Sequence, residues 1–249
     1  MGDTTIWDER LLKFIKEGLD EDVGDGDHTS LACILPEKVD TAKLLVKDVG
    51  VLAGMRIAEA IFKYVEEGAE FKPFMKDGDD INPGDIAFEV TCKSQSLLKA
   101  ERLVLNTIQR MSGIATHSSR FALEVEGLKT QILDTRKTTP LLRFLEKEAV
   151  RIGGCTNYRD GLYDRIMIKD NHVDAAGGMR QAIERVHAYL KETGRSLEIT
   201  VEVRNLVELY EVIEIGGIDR VMLDNFEVPL VREAVAIIDG RFETEASGG

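Results

Sequence analysis

The sequence predicts an α/β protein, with a small N-terminal α+β domain in residues 1–112 and an incomplete α/β barrel in residues 113–249. In the second half, short apolar strands alternate with helix-length segments, as in βα units that form a parallel sheet. In the first half, a helix pattern precedes short apolar runs separated by turn residues, which is typical of an antiparallel sheet. With 43% hydrophobic residues, the chain of 249 residues can bury a substantial core.

The N-terminal elements follow from apolar spacing and turn signals. The spacing predicts a first helix over Ile6–Leu19, short strands with a glycine turn in residues 41–55, and a helix over Arg56–Glu67. The short apolar runs and turn residues of segment 71–93 predict antiparallel strands. A long helix pattern over Ser96–Ser112 then joins this domain to the barrel.

Five apolar segments of the second half end abruptly in polar residues and are predicted to be parallel strands: Thr130–Leu133, Arg165–Ile168, Glu198–Val201, Arg220–Leu223 and Phe242–Ala246. The helices between them are predicted over Pro140–Ile152, Gly178–Glu192, Leu206–Glu214 and Val228–Ile238. Barrel enzymes place their chemistry at the carboxyl ends of such strands. The residues found there are Arg136, Lys137, Lys169, Glu202, Asp224, Ser247, Gly248 and Gly249.

The composition excludes several classes of protein. A formal charge of −13 argues against a general binder of nucleic acids or anionic membranes. No apolar run approaches the roughly 20 residues of a membrane span, and the N-terminus has no secretory signal, so we expect a cytoplasmic protein. Cys33, Cys92 and Cys155 are widely spaced, which fits reduced packing residues and neither a disulfide framework nor a zinc site.

The acidity is uneven along the chain. Between Asp134 and His172 there are eight basic and six acidic residues, giving this segment a net charge of +2. We call this segment the basic island; its basic residues are Arg136, Lys137, Arg143, Lys147, Arg151, Arg159, Arg165 and Lys169. A basic island in an acidic protein suggests a site for a small, highly charged anion, although a solvated helix face would have the same composition.

The candidate residues have complementary chemistry. Arg and Lys side chains suit carboxylates and phosphates, whereas Glu202 and Asp224 would repel such ligands unless a cation such as Mg²⁺ intervenes. The Ser-Gly-Gly segment could offer backbone N–H groups to a phosphate, or form an ordinary turn. The sequence has no GxGxxG, GxxxxGK[ST], HExxH or Gly-x-Ser-x-Gly motif, so no organic cofactor is indicated.

Several strings together resemble the quinolinate phosphoribosyltransferase family. They are Asp134–Pro140 (DTRKTTP), Val150–Gly154 (VRIGG), Asn157–Arg159 (NYR), Ile168–His172 (IKDNH), Val201–Val203 (VEV), Met222–Asn225 (MLDN) and Glu245–Gly249 (EASGG). Upstream, Gly26–Ser30 resembles the family's opening motif, and Glu101–Arg102 with Ser112–Thr116 resembles its central helix. The resemblance extends over nearly the whole chain.

The resemblance implies an enzyme that joins quinolinate to phosphoribosyl pyrophosphate, yielding nicotinate mononucleotide, pyrophosphate and CO₂. It implies a homodimer with shared active sites and Mg²⁺ bound with the pyrophosphate. By residue, Thr135, Arg136, Tyr158, Arg159 and Lys169 would contact quinolinate, and Lys137 would lie between the two substrates. Glu202 and Asp224 would bind the ribose and the metal-bound pyrophosphate. The phosphate would be bound by Ser247, Gly248 and Gly249. Arg102 would reach into the neighbouring subunit's site.

Two features depart from the family pattern. Tyr158 stands where the family usually has His, and the family continues for one or two βα units beyond the position of Gly249. The alternatives are a related phosphoribosyltransferase-like protein of molybdenum transport and a catalytically impaired binding protein. The string Lys169–His172 favours the quinolinate enzyme over the former, and an assay with both substrates would distinguish the latter.

Overall fold

The computed structural model describes residues 4–248, with side chains from Glu9 onward. The chain divides into two compact units, the first ending at Tyr158 and the second beginning at Arg159. The domain boundary predicted after residue 112 lies within a helix, and it stays a prediction. In the described part of the chain, no helix combines the length and apolar character needed to cross a membrane.

The first unit contains five helices and five strands among the described residues. In chain order they are α1 (Thr4–Val23), α2 (His28–Cys33), β1 (Val39–Leu45), β2 (Gly50–Val51), α3 (Met55–Val65), β3 (Glu70–Pro73), β4 (Asp80–Ile81), β5 (Ile86–Lys93), α4 (Ser94–Glu124) and α5 (Arg143–Ile152). β5 lies between β1 and β3, and both pairings are antiparallel, as is the separate pair β2–β4. The predicted α+β character of the N-terminal part is therefore confirmed.

Helix α4 is the long axis of this unit's core. Its buried residues recur every three or four positions: Leu97, Ala100, Val104, Ile108, Met111 and Ala115. The helix runs to Glu124, twelve residues beyond its predicted end at Ser112. Burial of Ala115 and Ser118 on the same face carries the helix past Gly113, which sequence spacing alone treats as a stop.

Helix α5 is anchored in the same core by Phe144, Leu145 and Ala149. The Phe144 ring packs edge-on against Phe14 of α1, with ring centroids 5.9 Å apart. The first turn of α5 begins at Arg143, three residues after the predicted start at Pro140. Because it is fixed on its apolar side, α5 can present its polar side chains to neighbouring loops at defined positions.

The second unit is a parallel sheet with helices between its strands. Its elements are β6 (Ile166–Ile168), α6 (Asp170–Ala176), α7 (Met179–Thr193), β7 (Ile199–Val203), α8 (Leu206–Ile215), β8 (Arg220–Asp224), α9 (Val228–Ile238) and β9 (Glu243–Ser247). The strands lie in the order β6-β7-β8-β9, all parallel. All five residues of β7 are buried, as expected for a central parallel strand. The α/β class is confirmed, and α9 has the predicted bounds.

The prediction of a fifth strand over Thr130–Leu133 was wrong. Within the described residues this segment forms only an isolated parallel bridge between Leu133 and Thr156. Thr130 and Gln131 are exposed and polar, so only two half-buried apolar residues remain, too few to maintain a ladder.

The three cysteines are free thiols, but the packing role predicted for them holds for two. Cys92 and Cys155 are buried, whereas Cys33 is exposed. Burial raises the pKa of the Cys92 thiol to about 11, so this side chain stays protonated and unreactive at neutral pH.

Candidate active site

Four candidate residues lie at the carboxyl ends of the strands of the second unit. Lys169 follows β6 directly, Glu202 is the penultimate residue of β7, and Asp224 and Ser247 end β8 and β9. The parallel register brings Asp224 opposite Ser247. The sheet thus gathers these side chains at one edge, as the sequence predicts.

Lys169 and Glu202 form an ion pair, with Nζ 3.0 Å from Oε2. The Glu202 side chain is 9% exposed, because β7 is buried, whereas the Lys169 side chain is 41% exposed. A buried carboxylate requires such a partner. Lys169 therefore neutralises Glu202 and also presents part of its ammonium group to solvent.

His172 fixes the backbone at Lys169. Its Nδ1 accepts a hydrogen bond from the Lys169 N–H at 3.0 Å, at the start of α6. The acceptor nitrogen carries no proton, so a neutral His172 is protonated at Nε2. His172 thus orients the backbone at the start of α6.

Asp224 has only neutral partners among the described residues. Its Oδ1 accepts from Ser247 Oγ at 3.1 Å and its Oδ2 from Asn225 Nδ2 at 2.8 Å. The Asn225 N–H also donates to the Ser247 carbonyl at 2.8 Å, joining the ends of β8 and β9. Asp224 therefore has no cationic partner among the described residues, unlike Glu202.

Gly248 follows β9 in a conformation that requires glycine. Its φ is 116°, and a Cβ at this position would lie 2.3 Å from Asn225 Oδ1. The backbone can approach the end of β8 only because no side chain intervenes. Gly249, the last candidate of this segment, lies outside the described residues.

Arg159 is a buried cation at the start of the second unit, 9% exposed. Its guanidinium lies 3.3 Å from Met167 Sδ. The loop that follows is braced by Asp164, which accepts from the N–H groups of Asp160 at 2.5 Å and Gly161 at 3.0 Å. Burial acts to raise the pKa of Asp164, but these backbone hydrogen bonds outweigh it and the pKa is lowered.

The candidate residues of the first unit lie in a segment without regular secondary structure. Thr135 and Lys137 are exposed, and Thr135 Oγ1 accepts from the Lys137 N–H at 3.0 Å. Arg136 is half-buried, and its Nε is the one buried side-chain nitrogen or oxygen without a hydrogen-bond partner in the described part of the chain. An unsatisfied buried donor is costly, so this nitrogen is suited to an anionic ligand.

Helix α5 holds this segment through charged side chains one turn apart. Arg143 donates to the Arg136 carbonyl at 3.3 Å and to Thr138 Oγ1 at 3.0 Å. Glu146 accepts from the Thr139 N–H at 3.1 Å and from Arg110 Nε at 2.7 Å. The sequence assigned no role to these residues. The available signal was the i, i+3, i+4 spacing of Arg143, Glu146 and Lys147, of which the last two are buried.

Arg102 lies elsewhere in the first unit, on an exposed position of α4. It forms no ion pair with any residue that the structure describes. The described residues also contain no group of three or more His, Cys, Asp and Glu side chains arranged to hold a metal ion.

Comparisons with known proteins identify the family. The quinolinate phosphoribosyl transferase N-terminal domain model matches residues 27–112, and the C-terminal domain model matches residues 114–249. The chain belongs to the quinolinate phosphoribosyltransferase family.

Relatives of this family match along nearly the whole chain. A quinolinate phosphoribosyltransferase [decarboxylating] 1b of Nicotiana tabacum is 43% identical over 96% of this chain and 72% of its own length. A probable nicotinate-nucleotide pyrophosphorylase [carboxylating] of Bacillus subtilis is 39% identical over 96% of this chain and 81% of its own. The crystal structure of NadC from Streptococcus pyogenes has a TM-score of 0.92 at 35% identity, covering 100% of this chain and 86% of that one.

Leu141 is strained beside the family's Asp134–Pro140 string. Its φ is 66°, in the left-handed region, and its side chain is 87% exposed. The left-handed conformation destabilises the folded state by roughly 1–2 kcal/mol for an L-residue, and glycine avoids this cost. Glycine instead lowers the stability by about 0.5–1 kcal/mol, because the unfolded chain becomes more flexible. We therefore expect Leu141→Gly to raise the free energy of unfolding by up to about 1 kcal/mol in denaturant titrations. The control is Leu162→Gly, since Leu162 is 72% exposed and not left-handed, and here we expect a loss. Equal losses in both variants would contradict the strain.

Proposed function

We propose that this chain is a quinolinate phosphoribosyltransferase that joins quinolinate to phosphoribosyl pyrophosphate and releases pyrophosphate and CO₂ in NAD biosynthesis. The observation that carries the proposal is that relatives 39–43% identical over 96% of the chain are named for this reaction. The side chains at the candidate positions have the chemistry that the reaction needs.

Recognition of quinolinate is assigned to Thr135, Arg136, Arg159 and Lys169, with Tyr158 as an additional contact. Two adjacent carboxylates on a pyridine ring require several cationic donors at fixed angles, and Arg supplies a planar fork of donors. The unpartnered Arg136 Nε supports this assignment, because a ligand oxygen would satisfy it. Lys137, exposed and without an ion-pair partner among the described residues, would lie between the two substrates.

Recognition of phosphoribosyl pyrophosphate is assigned to Glu202, Asp224 and Ser247 with its following glycines. Mg²⁺ prefers oxygen ligands and is held by one or two carboxylates together with substrate phosphates. Asp224 fits this role best, because its partners Ser247 and Asn225 are neutral, whereas Glu202 is neutralised by Lys169. When bound, Mg²⁺ would reduce the negative charge of the pyrophosphate group.

The chemistry then depends on orientation and charge. The pyridine nitrogen forms a bond to C1 of the ribose as the C1–O bond to pyrophosphate breaks, with positive charge developing on the sugar. Cations that hold both quinolinate carboxylates align the nitrogen with C1, and Lys137 would stabilise the negative charge on the departing oxygen. The pyridinium then accepts the electron pair of the bond to the 2-carboxylate, CO₂ leaves, and a solvent proton takes its place. No protein nucleophile is needed.

Assembly and location complete the proposal. A homodimer with shared sites is supported by the exposed Arg102, a cation on α4 without an ion-pair partner among the described residues. A cytoplasmic location is supported by three free cysteines.

The first test removes two cations of the quinolinate site. We expect Arg136→Ala and Lys169→Ala each to raise the quinolinate Kd by roughly ten- to hundredfold in calorimetric titrations, since each charge-assisted contact is worth about 1.5–3 kcal/mol. Arg185→Ala, on the exposed face of α7, serves as the matched control and should leave the Kd unchanged. Unchanged affinity in both site variants would remove the assigned site. Absence of turnover by the unmodified chain would favour an impaired binding protein.

The second test separates the two carboxylates. We expect Glu202→Gln and Asp224→Asn to reduce activity while quinolinate binding is largely retained. The loss in Asp224→Asn should depend more strongly on Mg²⁺, because only Asp224 lacks a cationic partner among the described residues. Initial rates across a Mg²⁺ titration measure this, with Glu184→Gln on the exposed face of α7 as control. Normal rates in both variants at limiting Mg²⁺ would overturn the metal role.

The third test concerns the shared site. Arg102→Ala and Lys169→Ala homodimers should both be inactive, but mixed subunits should recover about a quarter of the wild-type activity. Random exchange makes half of the dimers mixed, and one of the two sites in each then carries both residues. Lys99→Ala, also exposed on α4, should keep full activity. No recovery after verified exchange, or full activity in a demonstrated monomer, would contradict the arrangement.

A further inference from the structure

The most deeply buried ion pair of the first unit joins Asp134 to Lys147. The two side chains are 7% and 3% exposed, and Lys147 Nζ contacts Asp134 Oδ1 directly. Neither residue has a role in substrate recognition in the function proposed above. Removing two charges from water is expensive, and an apolar pair of similar volume would often be as stable. Stability alone therefore does not account for charges at these positions.

Both members of the pair also bind the backbone of Tyr158. Asp134 Oδ1 accepts from the Tyr158 N–H at 2.8 Å, and Lys147 Nζ donates to the Tyr158 carbonyl at 3.2 Å. The Asn157 side-chain amide, oriented to satisfy its neighbours, donates to Asp134 Oδ2 at 2.9 Å and to the Lys147 carbonyl at 2.8 Å. The backbone N–H and carbonyl of Tyr158 are thus both held by this pair.

The pair joins two segments that have little structure of their own. Asp134 immediately precedes Thr135 and Arg136, and its N–H donates to the Thr156 carbonyl at 3.1 Å. Beyond the bridge between Leu133 and Thr156, neither segment belongs to a strand or helix. Lys147, by contrast, projects from α5, which is fixed in the hydrophobic core. Helix α5 thus holds both segments, and the Lys147 ammonium group contacts Asp134 in one and Tyr158 in the other.

We propose that the Asp134–Lys147 pair is a positioning device for quinolinate, which fixes Arg136 and Tyr158 relative to each other; this inference rests on the proposed function. Recognition of two adjacent carboxylates depends on donor placement, and a displacement of about 1 Å can cost on the order of a hundredfold in rate. The ionic pair supplies directional contacts to Tyr158 that an apolar pair could not. Asp134 and Lys147 act through Arg136 and Tyr158 and do not themselves touch the substrate.

Helix α5 offers a matched control for this inference. Glu148, the residue after Lys147, is 9% exposed and pairs with Arg56 of α3 at 3.2 Å. This pair is also buried on one side, but the contact joins α5 to another helix of the core. We therefore expect Glu148→Gln to destabilise the fold without displacing Arg136 and Tyr158.

The experiment compares four variants of the full chain: Asp134→Asn, Lys147→Gln, the double variant and Glu148→Gln. For each variant, Tm, the KM of both substrates and the calorimetric Kd for quinolinate are measured. We expect each single variant of the pair to raise the quinolinate KM and Kd at least about tenfold, with the KM for phosphoribosyl pyrophosphate changed less than about threefold. The double variant, which leaves no unpaired buried charge, should be less impaired than the product of the single effects. Glu148→Gln should lower Tm and leave the quinolinate KM unchanged.

Three outcomes would overturn the inference. One is an unchanged quinolinate KM in folded single variants, and another is an equal rise in both KM values, which indicates a general loss of structure. If the single variants do not fold, the double variant is compared with Glu148→Gln, and equal quinolinate KM values in these two would also overturn it. A wild-type chain that neither binds nor converts quinolinate would instead overturn the proposed function, and the inference with it.

Discussion

A carboxylate buried in this protein needs a cation beside it, and the candidate site is built around that constraint. Glu202 in the buried strand β7 is paired with Lys169, Asp134 with Lys147, and Glu146 with Arg110. In each case the pair also fixes a strand end or a loop that carries a candidate residue. Each of these three carboxylates is therefore neutralised by the protein itself.

This constraint changes how the basic island is understood. The island has eight basic residues, but Lys147, Arg165 and Lys169 pair with carboxylates of the protein. Arg136 and Lys137 have no such partner among the described residues and so remain for an anionic ligand. The net charge of the segment indicated an anion site, but it did not indicate which cations would serve it. That depends on contacts between residues distant in sequence.

The regular elements were predictable where local apolar spacing was sufficient. The four strands of the parallel sheet lie within two residues of their predicted bounds, because each is a short segment followed by polar or glycine residues. The segment Thr130–Leu133 has only two apolar residues, and among the described residues it forms a single bridge. The prediction for helix α4 was too short, since burial against the core extends the helix past Gly113. The error for α4 arises from tertiary contacts that override local propensity.

Residue type and strand position predicted which side chains could meet a ligand, whereas their partners could not be predicted. Lys169 and Glu202 are 33 residues apart, and Arg110 and Glu146 are 36 apart. Spacings of that size carry no signal in one sequence, because they are set by sheet register and helix packing. The short separation of Asp134 and Lys147, 13 residues, is no more informative, since a loop without regular structure precedes α5 between them.

The environments of Glu202 and Asp224 show what such partners decide. Both are acidic residues near the ends of adjacent parallel strands, and the sequence gives them the same role. In the structure Glu202 is buried beside an ammonium group, while Asp224 is half-buried beside a hydroxyl and an amide. A paired carboxylate holds a cation in place, and an unpaired one attracts a new cation. Two chemically similar groups therefore have different environments: Glu202 is held beside Lys169, and Asp224 is the carboxylate to which the proposed function assigns the metal-bound phosphate group.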